Sequence, residues 1–318
     1  MPQTERYKAV STGSAHTIAL DMNGTVRVWG IAFSGQFGNG TNAGSSSTPL
    51  LVPGLSNIIA ISANTNYSLA LKADGTVWAW GDCLTGELGN GTSGPFCQSN
   101  VPVQVLGLPH IIAIAAGGYH ALALAEDGTV YAWGNNLVGQ LGDGTINPGQ
   151  FGDPPVPNDR SIAAIVPGLA NVIAISAGDY FSVALSADGS VLAWGSNNSG
   201  QLGDGTTTDR LVPTATLMTD AVSISAHAGH MLSLKQDGTA WSWGFGLYGQ
   251  LGTGTNENSS VPVVIPGLSA IAEVCAGGVM SMARDGYGRV WTWGSNSFSG
   301  QLGDGTTNDS NVPVVSKF

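Results

Sequence analysis

The chain has 318 residues, of which 42% are hydrophobic and only 10% are charged, and its 21 acidic and 10 basic side chains give a formal net charge of −11. Such a shortage of Lys and Arg argues against nucleic acid or an anionic membrane as a main partner, because basic side chains hold both. No run of about 18 apolar residues occurs, so we expect no transmembrane helix.

From the N-terminus, short apolar segments lead to a Trp-Gly pair at Trp29, which is followed by the glycine-rich stretch "SGQFGNGT" at 34–41. The unit recurs with its Trp-Gly pair at Trp80, Trp133, Trp194, Trp243 and Trp293. Thirteen residues before each Trp stands one of a second set: His16, Tyr67, His120, Phe181, His230 and Met280. The constant offset indicates six internal repeats of one rigid unit.

Each copy is made of short apolar segments joined by turn residues. In the third copy these segments are "IIAIA", "ALALA" and "TVYAW", and the last two are joined by Asp127–Gly128. An Asp-Gly pair is a strong hairpin signal, since a two-residue turn of type I′ needs positive φ at both positions. A "VPV" segment, as at 101–103, 261–263 and 312–314, is expected at the edge of a sheet because it contains proline.

Four short antiparallel strands, repeated six times, predict an all-β fold, a β-propeller with six four-stranded blades in a single domain over residues 1–318. The chain ends in "NVPVVSKF", whereas no "VPV" segment precedes the first copy. We therefore expect the C-terminal strand to complete the first blade and to close the ring.

The pattern "GxxHxLAL…DGxVxxWGxNxxGQLGDGT…VPV" resembles the repeat of the regulator of chromosome condensation family, from about residue 8 to residue 318. This resemblance implies a propeller in which well-known members have seven blades, whereas six copies are counted here. A seventh copy missing from this chain stays an alternative to the six blades that we expect. The resemblance also implies guanine-nucleotide exchange on a small GTPase, the activity of the founding member.

The repeated residues are interpreted as structural. The His position is taken by Tyr67, Phe181 and Met280 in other copies, so it is not a proton carrier. The glycine-rich stretch has no following Lys and helix, which a phosphate loop needs, so we expect a turn. Calcium binding by Asp204 with Asp209, or by Asp304 with Asp309, is a weaker alternative. We expect no catalytic residue, no metal and no cofactor.

Function is expected where the copies differ, on the loops that follow the "IAAG" and the "WG" strands. These loops open on one rim, which we call the varied rim. Its apolar and aromatic side chains predict a site for a protein partner on a monomeric chain. The predicted site residues are Phe33, Leu84, Tyr119, Leu137, Tyr180, Phe245, Leu247, Tyr248 and Phe298.

Other features leave alternatives open. Cys83 and Cys97 form either a disulfide or two free thiols, and Cys275 is expected in the core. The third copy carries an insertion within 146–160, which is either contact surface or a tolerated loop. His227 lies close to His230 in sequence, but further ligands for a metal are not evident.

The leading functional hypothesis is a non-enzymatic scaffold that binds a protein through the varied rim. One alternative is a guanine-nucleotide exchange factor. Another is an inhibitor of a secreted hydrolase such as a β-lactamase, because β-lactamase-inhibiting propellers resemble this chain in their "WGxN" and "HxLAL" repeats. The surface, rich in Ser, Thr and Asn, favours an extracellular setting, and a cytoplasmic one stays open.

Overall fold

The computed structural model describes residues 6–42, 44–147, 159–297 and 300–317. Within these ranges the regular structure is entirely β, and no helix is long and apolar enough to cross a membrane. Contacts divide the chain into two compact units, Met1–Leu137 with Thr145–Leu169 and Val138–Gly144 with Ala170–Phe318. Six four-stranded antiparallel sheets follow one another along the sequence.

The first unit contains three of the sheets, which we call blades 1 to 3. Blade 1 has β1 (Tyr7–Thr12), β2 (His16–Asp21), β3 (Val26–Ile31) and β4 (Ser45–Leu51). Blade 2 has β5 (Ile58–Asn64), β6 (Tyr67–Lys72), β7 (Val77–Asp82) and β8 (Gln98–Gln104). Blade 3 has β9 (Ile111–Ala116), β10 (His120–Ala125), β11 (Val130–Gly134) and β12 (Arg160–Ile165).

The second unit contains blades 4 to 6, built in the same order. Blade 4 has β13 (Val172–Ala177), β14 (Phe181–Ser186), β15 (Val191–Gly195) and β16 (Arg210–Ala215). Blade 5 has β17 (Ala221–His227), β18 (His230–Lys235), β19 (Ala240–Gly244) and β20 (Ser259–Val264). Blade 6 has β21 (Ile271–Ala276), β22 (Met280–Asp285), β23 (Val290–Gly294) and β24 (Ser310–Val315).

The sheets are the blades of a six-bladed β-propeller, as the repeat count predicts. The predicted role of the C-terminal strand is wrong. Strand β24 pairs with β23, with Trp291 opposite Val315, and so completes blade 6. Blade 1 already has its own fourth strand, β4, in which Pro49 takes the place of the "VPV" proline. A proline-containing strand thus ends five of the six repeats, whereas the fourth strand of blade 3, RSIAAI, contains no proline.

The Asp-Gly hairpins form where predicted, but the turn is not type I′. In blade 2, Gly75 has a φ of +80°, and Asp74 is absent from the described non-glycine residues with positive φ. The Asp74 side chain instead accepts a hydrogen bond from the Thr76 amide, 3.0 Å away. The Gly75 amide donates a hydrogen bond to the Lys72 carbonyl. The turn is therefore a three-residue loop in which only the glycine has a left-handed backbone.

The hydrophobic core lies in layers between neighbouring blades. One layer joins the faces of blades 1 and 2, where Ile18, Val28 and Trp80 are buried together. Equivalent layers lie between blades 2 and 3, between blades 4 and 5, and between blades 5 and 6. Because both faces of a blade are covered, every residue of β10 and β14 is buried, and burial does not alternate along these strands.

The first strands of neighbouring blades contact each other and are tied by serine. Ser62 Oγ accepts a hydrogen bond from the Ala116 amide of the next blade at 2.9 Å, and Ser225 Oγ accepts one from the Ala276 amide at 2.9 Å. Cys275 takes the equivalent position in blade 6 and is exposed. The prediction that Cys275 lies in the core is wrong, because its side chain points away from the buried Val274 and Ala276.

Candidate protein-binding rim

The varied rim of each blade consists of the loop between its first and second strands and the loop between its third and fourth strands. Antiparallel pairing brings both loops to one edge, while the Asp-Gly turns lie at the other. In blade 3, for example, Tyr119 precedes β10 and Leu137 follows β11. The rim therefore combines the glycine-rich stretch that all six copies share with the neighbouring loop positions in which the copies differ.

The repeated His position lies beneath this rim and is used for packing. His16 Nε2 lies 2.8 Å from Ser68 Oγ of blade 2, and His230 Nε2 lies 2.8 Å from Ser281 Oγ of blade 6. The Ser281 hydroxyl donates its proton to the Gln250 carbonyl, so His230 Nε2 must be the donor toward Ser281. Burial lowers the pKa of His16 to about 4 and the pKa of His230 to about 3, which keeps both rings neutral.

The repeated Trp ties each blade to the glycine-rich loop of the blade before it. Its indole N–H donates to the backbone carbonyl of the Gln or Glu in that loop at 2.8–3.1 Å, from Trp80, Trp133, Trp194, Trp243 and Trp293. These five indoles are fully buried. Trp29 differs, since it is only half-buried.

The glycine-rich loop is the structural turn that the sequence predicts. The side chain of its Gln folds back to accept a backbone N–H two residues earlier, as from Ser199 to Gln201 at 2.9 Å. Gly203 has a φ of +65°, and a Cβ there would lie 2.6 Å from Trp243 Nε1. The loop thus repeats because each copy must present both a left-handed glycine and a carbonyl to the next indole.

The carboxylates of this loop are engaged by the protein itself. Asp204 accepts hydrogen bonds from Thr206 and forms an ion pair with Arg210 at 2.6 Å. The Asp209 carboxylate accepts a hydrogen bond from the backbone N–H of Asn197 at 2.7 Å. The Asp309 carboxylate accepts one from the backbone N–H of Asn296 at 2.6 Å. Across the part of the chain that the structure describes, no three His, Cys, Asp or Glu side chains group as a metal site.

In the first unit, the predicted site residues differ in exposure. Phe33 is 74% exposed, whereas Leu84, Tyr119 and Leu137 are half-buried. The loop that carries Phe33 lies against blade 2, where the Gly40 amide donates to the Asn100 carbonyl at 2.8 Å. The insertion begins beside Asn136, whose amide donates to Asp159, but its residues 148–158 lie outside the described ranges.

In the second unit, the structure brings Phe245 and Tyr248 together, with their ring centroids 5.8 Å apart in an edge-to-face arrangement. Leu247 and Tyr248 are 55% and 46% exposed. Tyr180 and Phe245 are half-buried, and Phe298 lies outside the described residues. As a set these side chains share one rim of their blades, but their role in binding stays a prediction.

Sequence reasoning missed Phe96, which is fully exposed on the varied rim of blade 2. The residue follows Pro95 and precedes Cys97, and Cys97 forms a disulfide with Cys83. The bond resolves the alternative that the sequence left open. The available signal in the sequence was a Phe next to a cysteine in the loop between β7 and β8. The sequence does not show that this Phe is exposed, because its exposure depends on how the disulfide closes the loop.

Two clusters of buried ionisable side chains lie beneath the rim, and burial shifts their pKa values. Burial raises the pKa of Glu87 to about 7, and the nearby Asp82 carboxylate adds to this effect. Both Glu87 carboxyl oxygens accept hydrogen bonds from Thr85, at 2.9 and 2.6 Å. In the second unit, burial raises the pKa of Asp179 and lowers the pKa of His227, although the attraction between the two opposes both shifts.

Comparison with known proteins begins with curated relatives. The chain is 36% identical over 207 residues to the human probable E3 ubiquitin-protein ligase HERC6, covering 64% of this chain and 20% of that protein. It is 32% identical over 211 residues to protein pim1 of Schizosaccharomyces pombe, covering 62% of this chain and 38% of that protein. These alignments thus span well under half the length of either relative.

Among solved structures, the fold is similar to that of Prp20p from Saccharomyces cerevisiae, which has been described with its binding properties to Gsp1p and histones. The TM-score is 0.83 at 27% identity, over 98% of this chain and 76% of that one. Human WBSCR16 has the same fold at 21% identity, with a TM-score of 0.83. The family model of the RCC1-like domain matches residues 1–317, and the chain therefore belongs to the RCC1-like domain family.

Proposed function

We propose that this chain is a non-enzymatic protein-binding module whose partner contacts the varied rim. The observation that carries the proposal is the exposure of Phe33, Leu247 and Tyr248 on loops that are tied into a buried scaffold. Exposed aromatic side chains on a rigid support are typical of binding hot spots, because little conformational entropy is lost when they are covered.

The relatives support this proposal at a coarse level. Prp20p is described with binding to Gsp1p and histones, and with Kap60 bound to it. The similarity to HERC6 covers 20% of that protein, so its ligase activity does not transfer to this chain. The relatives share the propeller fold with this chain, and the protein partners named for Prp20p support a protein-binding role here.

A rim-directed variant tests the proposal. Gsp1p and histones serve as defined probes beside a native lysate, and Phe33→Ala/Leu247→Ala/Tyr248→Ala is compared with the wild type. The matched control is Tyr287→Ala, because Tyr287 is 82% exposed but lies at the turn between β22 and β23, on the opposite rim. We expect the rim variant alone to lose the partner while keeping the wild-type melting temperature. Equal capture by all three proteins would place binding elsewhere.

A second candidate is guanine-nucleotide exchange, which the structural likeness to Prp20p and its binding to Gsp1p favours. Release of a fluorescent GDP analogue from Gsp1p would be accelerated by the wild type and not by the rim variant. The third hypothesis, inhibition of a secreted hydrolase, stays a prediction. A β-lactamase assay with the wild-type chain tests it directly.

A further inference from the structure

We propose that Phe96 and Phe33 form a neutral aromatic anchor on the varied rim, that this anchor enters an apolar cleft on a folded partner protein, and that the Cys83–Cys97 disulfide is required to present it. This inference rests on the proposed function, since it names the part of the rim that engages the partner and the bond that controls it. Phe96 and Phe33 are 100% and 74% exposed.

The two aromatic residues lie on loops that contact each other. A Cβ on Gly35, two residues after Phe33, would lie 2.6 Å from the Ser99 carbonyl, three residues after Phe96. The Gly40 amide also donates to the Asn100 carbonyl at 2.8 Å. The loop of blade 1 is therefore seated against the segment that follows the disulfide in blade 2, which brings both anchors to one part of the rim.

The conformation of Phe96 needs an external constraint. Its φ is +64°, in the left-handed region that a bulky residue rarely adopts. Because the side chain is fully exposed, packing of the ring does not hold it there. The adjacent Cys97 does, through its disulfide to the buried Cys83 and through its backbone N–H, which donates a hydrogen bond to the Gly94 carbonyl at 3.0 Å. Strained backbone that displays an exposed aromatic ring points to a binding role.

The chemistry of the two loops defines the partner. Residues 31–42 contain no charged side chain, and Glu87 is the only one in residues 83–97, where it is buried. In a chain with a net charge of −11, this neutral patch is unsuited to hold a basic tail by ion pairs. A protruding pair of phenyl rings instead fits a concave apolar surface, where each ring is removed from water.

Reduction is expected to release the anchor. A dithiol attacks Cys97 Sγ, which is the less buried sulfur, and Cys83 leaves as a thiolate. The second thiol then closes the reagent into a cyclic disulfide, while Cys83 and Cys97 take up the two electrons and two protons. Without the cross-link, Phe96 is free to leave the left-handed conformation, and the pre-organised anchor is lost.

The experiment uses the full chain with Cys275→Ser, so that only the disulfide responds to dithiothreitol. A photoreactive p-benzoylphenylalanine is placed at position 96, or at position 287 as control, and cross-linking to Gsp1p, the probe named above, is measured. Affinity is then measured for Phe96→Ala, for Phe33→Ala and for the reduced protein, at about 50 and 500 mM NaCl. Amide hydrogen exchange of residues 84–97 reports the loop itself, with 199–206 as the reference.

We expect cross-linking from position 96 only, a dissociation constant raised roughly tenfold or more by Phe96→Ala and by reduction, and little change with salt. Exchange in 84–97 should rise on reduction, while exchange in 199–206 stays unchanged. A partner that binds Phe96→Ala as tightly as the wild type would overturn the anchor and leave the proposed function standing. Strongly salt-dependent binding would overturn the neutral cleft, and unchanged exchange on reduction would overturn the role of the disulfide. Failure to find any rim partner would remove the proposed function itself.

Discussion

The indole nitrogen of Trp133 in blade 3 donates a hydrogen bond to the backbone carbonyl of Glu87 in blade 2, 2.8 Å away. The bond links the fully buried core of one blade to the rim loop of the blade before it. A loop that is tied in this way holds the rim above it in place, so the scaffold and the candidate binding surface depend on the same contacts.

Removal of this indole should be severely destabilising. Trp133→Ala leaves a large cavity and an unpaired carbonyl, and we expect it to lower the free energy of unfolding by about 3–5 kcal/mol. Trp29→Ala is the matched control, because the half-buried Trp29 leaves a smaller cavity. Urea denaturation monitored by circular dichroism measures both, and similar midpoints for the two variants would contradict the interblade role.

The glycine beside the indole should tolerate no side chain. Gly203→Ala combines a left-handed backbone with a Cβ 2.6 Å from Trp243 Nε1, whereas a Cβ at Gly40, where φ is +88°, meets no atom of the described part of the chain within 4 Å. We expect Gly40→Ala to cost about 1–2 kcal/mol through backbone conformation alone. Gly203→Ala should cost clearly more, because Trp243 is held by its own hydrogen bond. Equal losses in thermal denaturation would show that the indole moves aside freely.

The buried His230 should make the protein sensitive to mild acid. Burial lowers the pKa of His230 in the folded protein to about 3, below its ordinary value of 6.5, so the unfolded chain binds the extra proton. Its contribution to stability is full above about pH 6.5 and is lost as the pH falls toward about 3. Between pH 7 and pH 5 this amounts to on the order of 2 kcal/mol.

His230→Met, which introduces the residue found at this position in blade 6, should remove that part of the pH dependence. The measurement is the difference in unfolding free energy between the wild type and the variant at each pH, so that acidic groups common to both cancel. A difference that does not change between pH 7 and pH 5 would mean that the ring is not neutral and buried in solution.

Glu87 should act in the opposite direction. Its pKa of about 7 lies above the ordinary value of 4.5, so stability is lost as the pH rises from about 4.5 through 7. Glu87→Gln should therefore stabilise the protein at pH 8, by on the order of 3 kcal/mol, and change it little at pH 4.5.

The reverse exchange in blade 5 is the control for Glu87. Gln250 occupies the equivalent position, its side chain is fully buried, and its Nε2 has no hydrogen-bond partner among the residues that the structure describes. Gln250→Glu should make the melting temperature fall as the pH rises from 4.5 to 8, as we expect Glu87 to do in the wild type. If neither variant alters the pH profile, the carboxyl group is reached by water or by a cation.

Several parts of the fold were predictable because the same local rule occurs six times. The offset between His16 and Trp29, repeated in every copy, predicts the hairpin of β2 and β3 and the count of blades. The Asp-Gly pair predicts where the hairpin turns. It did not predict the turn type. The Asp74 side chain accepts a hydrogen bond from the Thr76 amide, and Asp74 is not among the described residues with positive φ.

The sequence predicted where the candidate rim lies, but not which of its side chains are exposed. Phe33 is exposed as its loop position suggests, whereas Leu84 in the equivalent position of blade 2 is half-buried beside the disulfide. Phe96 went unrecognised because a loop sequence does not show which side chains its closure leaves outside. The position of Cys275 depends in the same way on which face of β21 is covered.

Periodicity alone therefore established the strands, their number and the structural nature of the glycine-rich loops, because these follow from short-range backbone preferences that each copy repeats. Contacts between residues about 50 positions apart decided which Trp is buried. Pairing of β24 with β23 decided which blade receives the last strand, and loop closure by the Cys83–Cys97 disulfide accompanies the exposure of Phe96. Burial is a property of the neighbouring blade as much as of the residue, and the neighbour is defined only once the blades have packed.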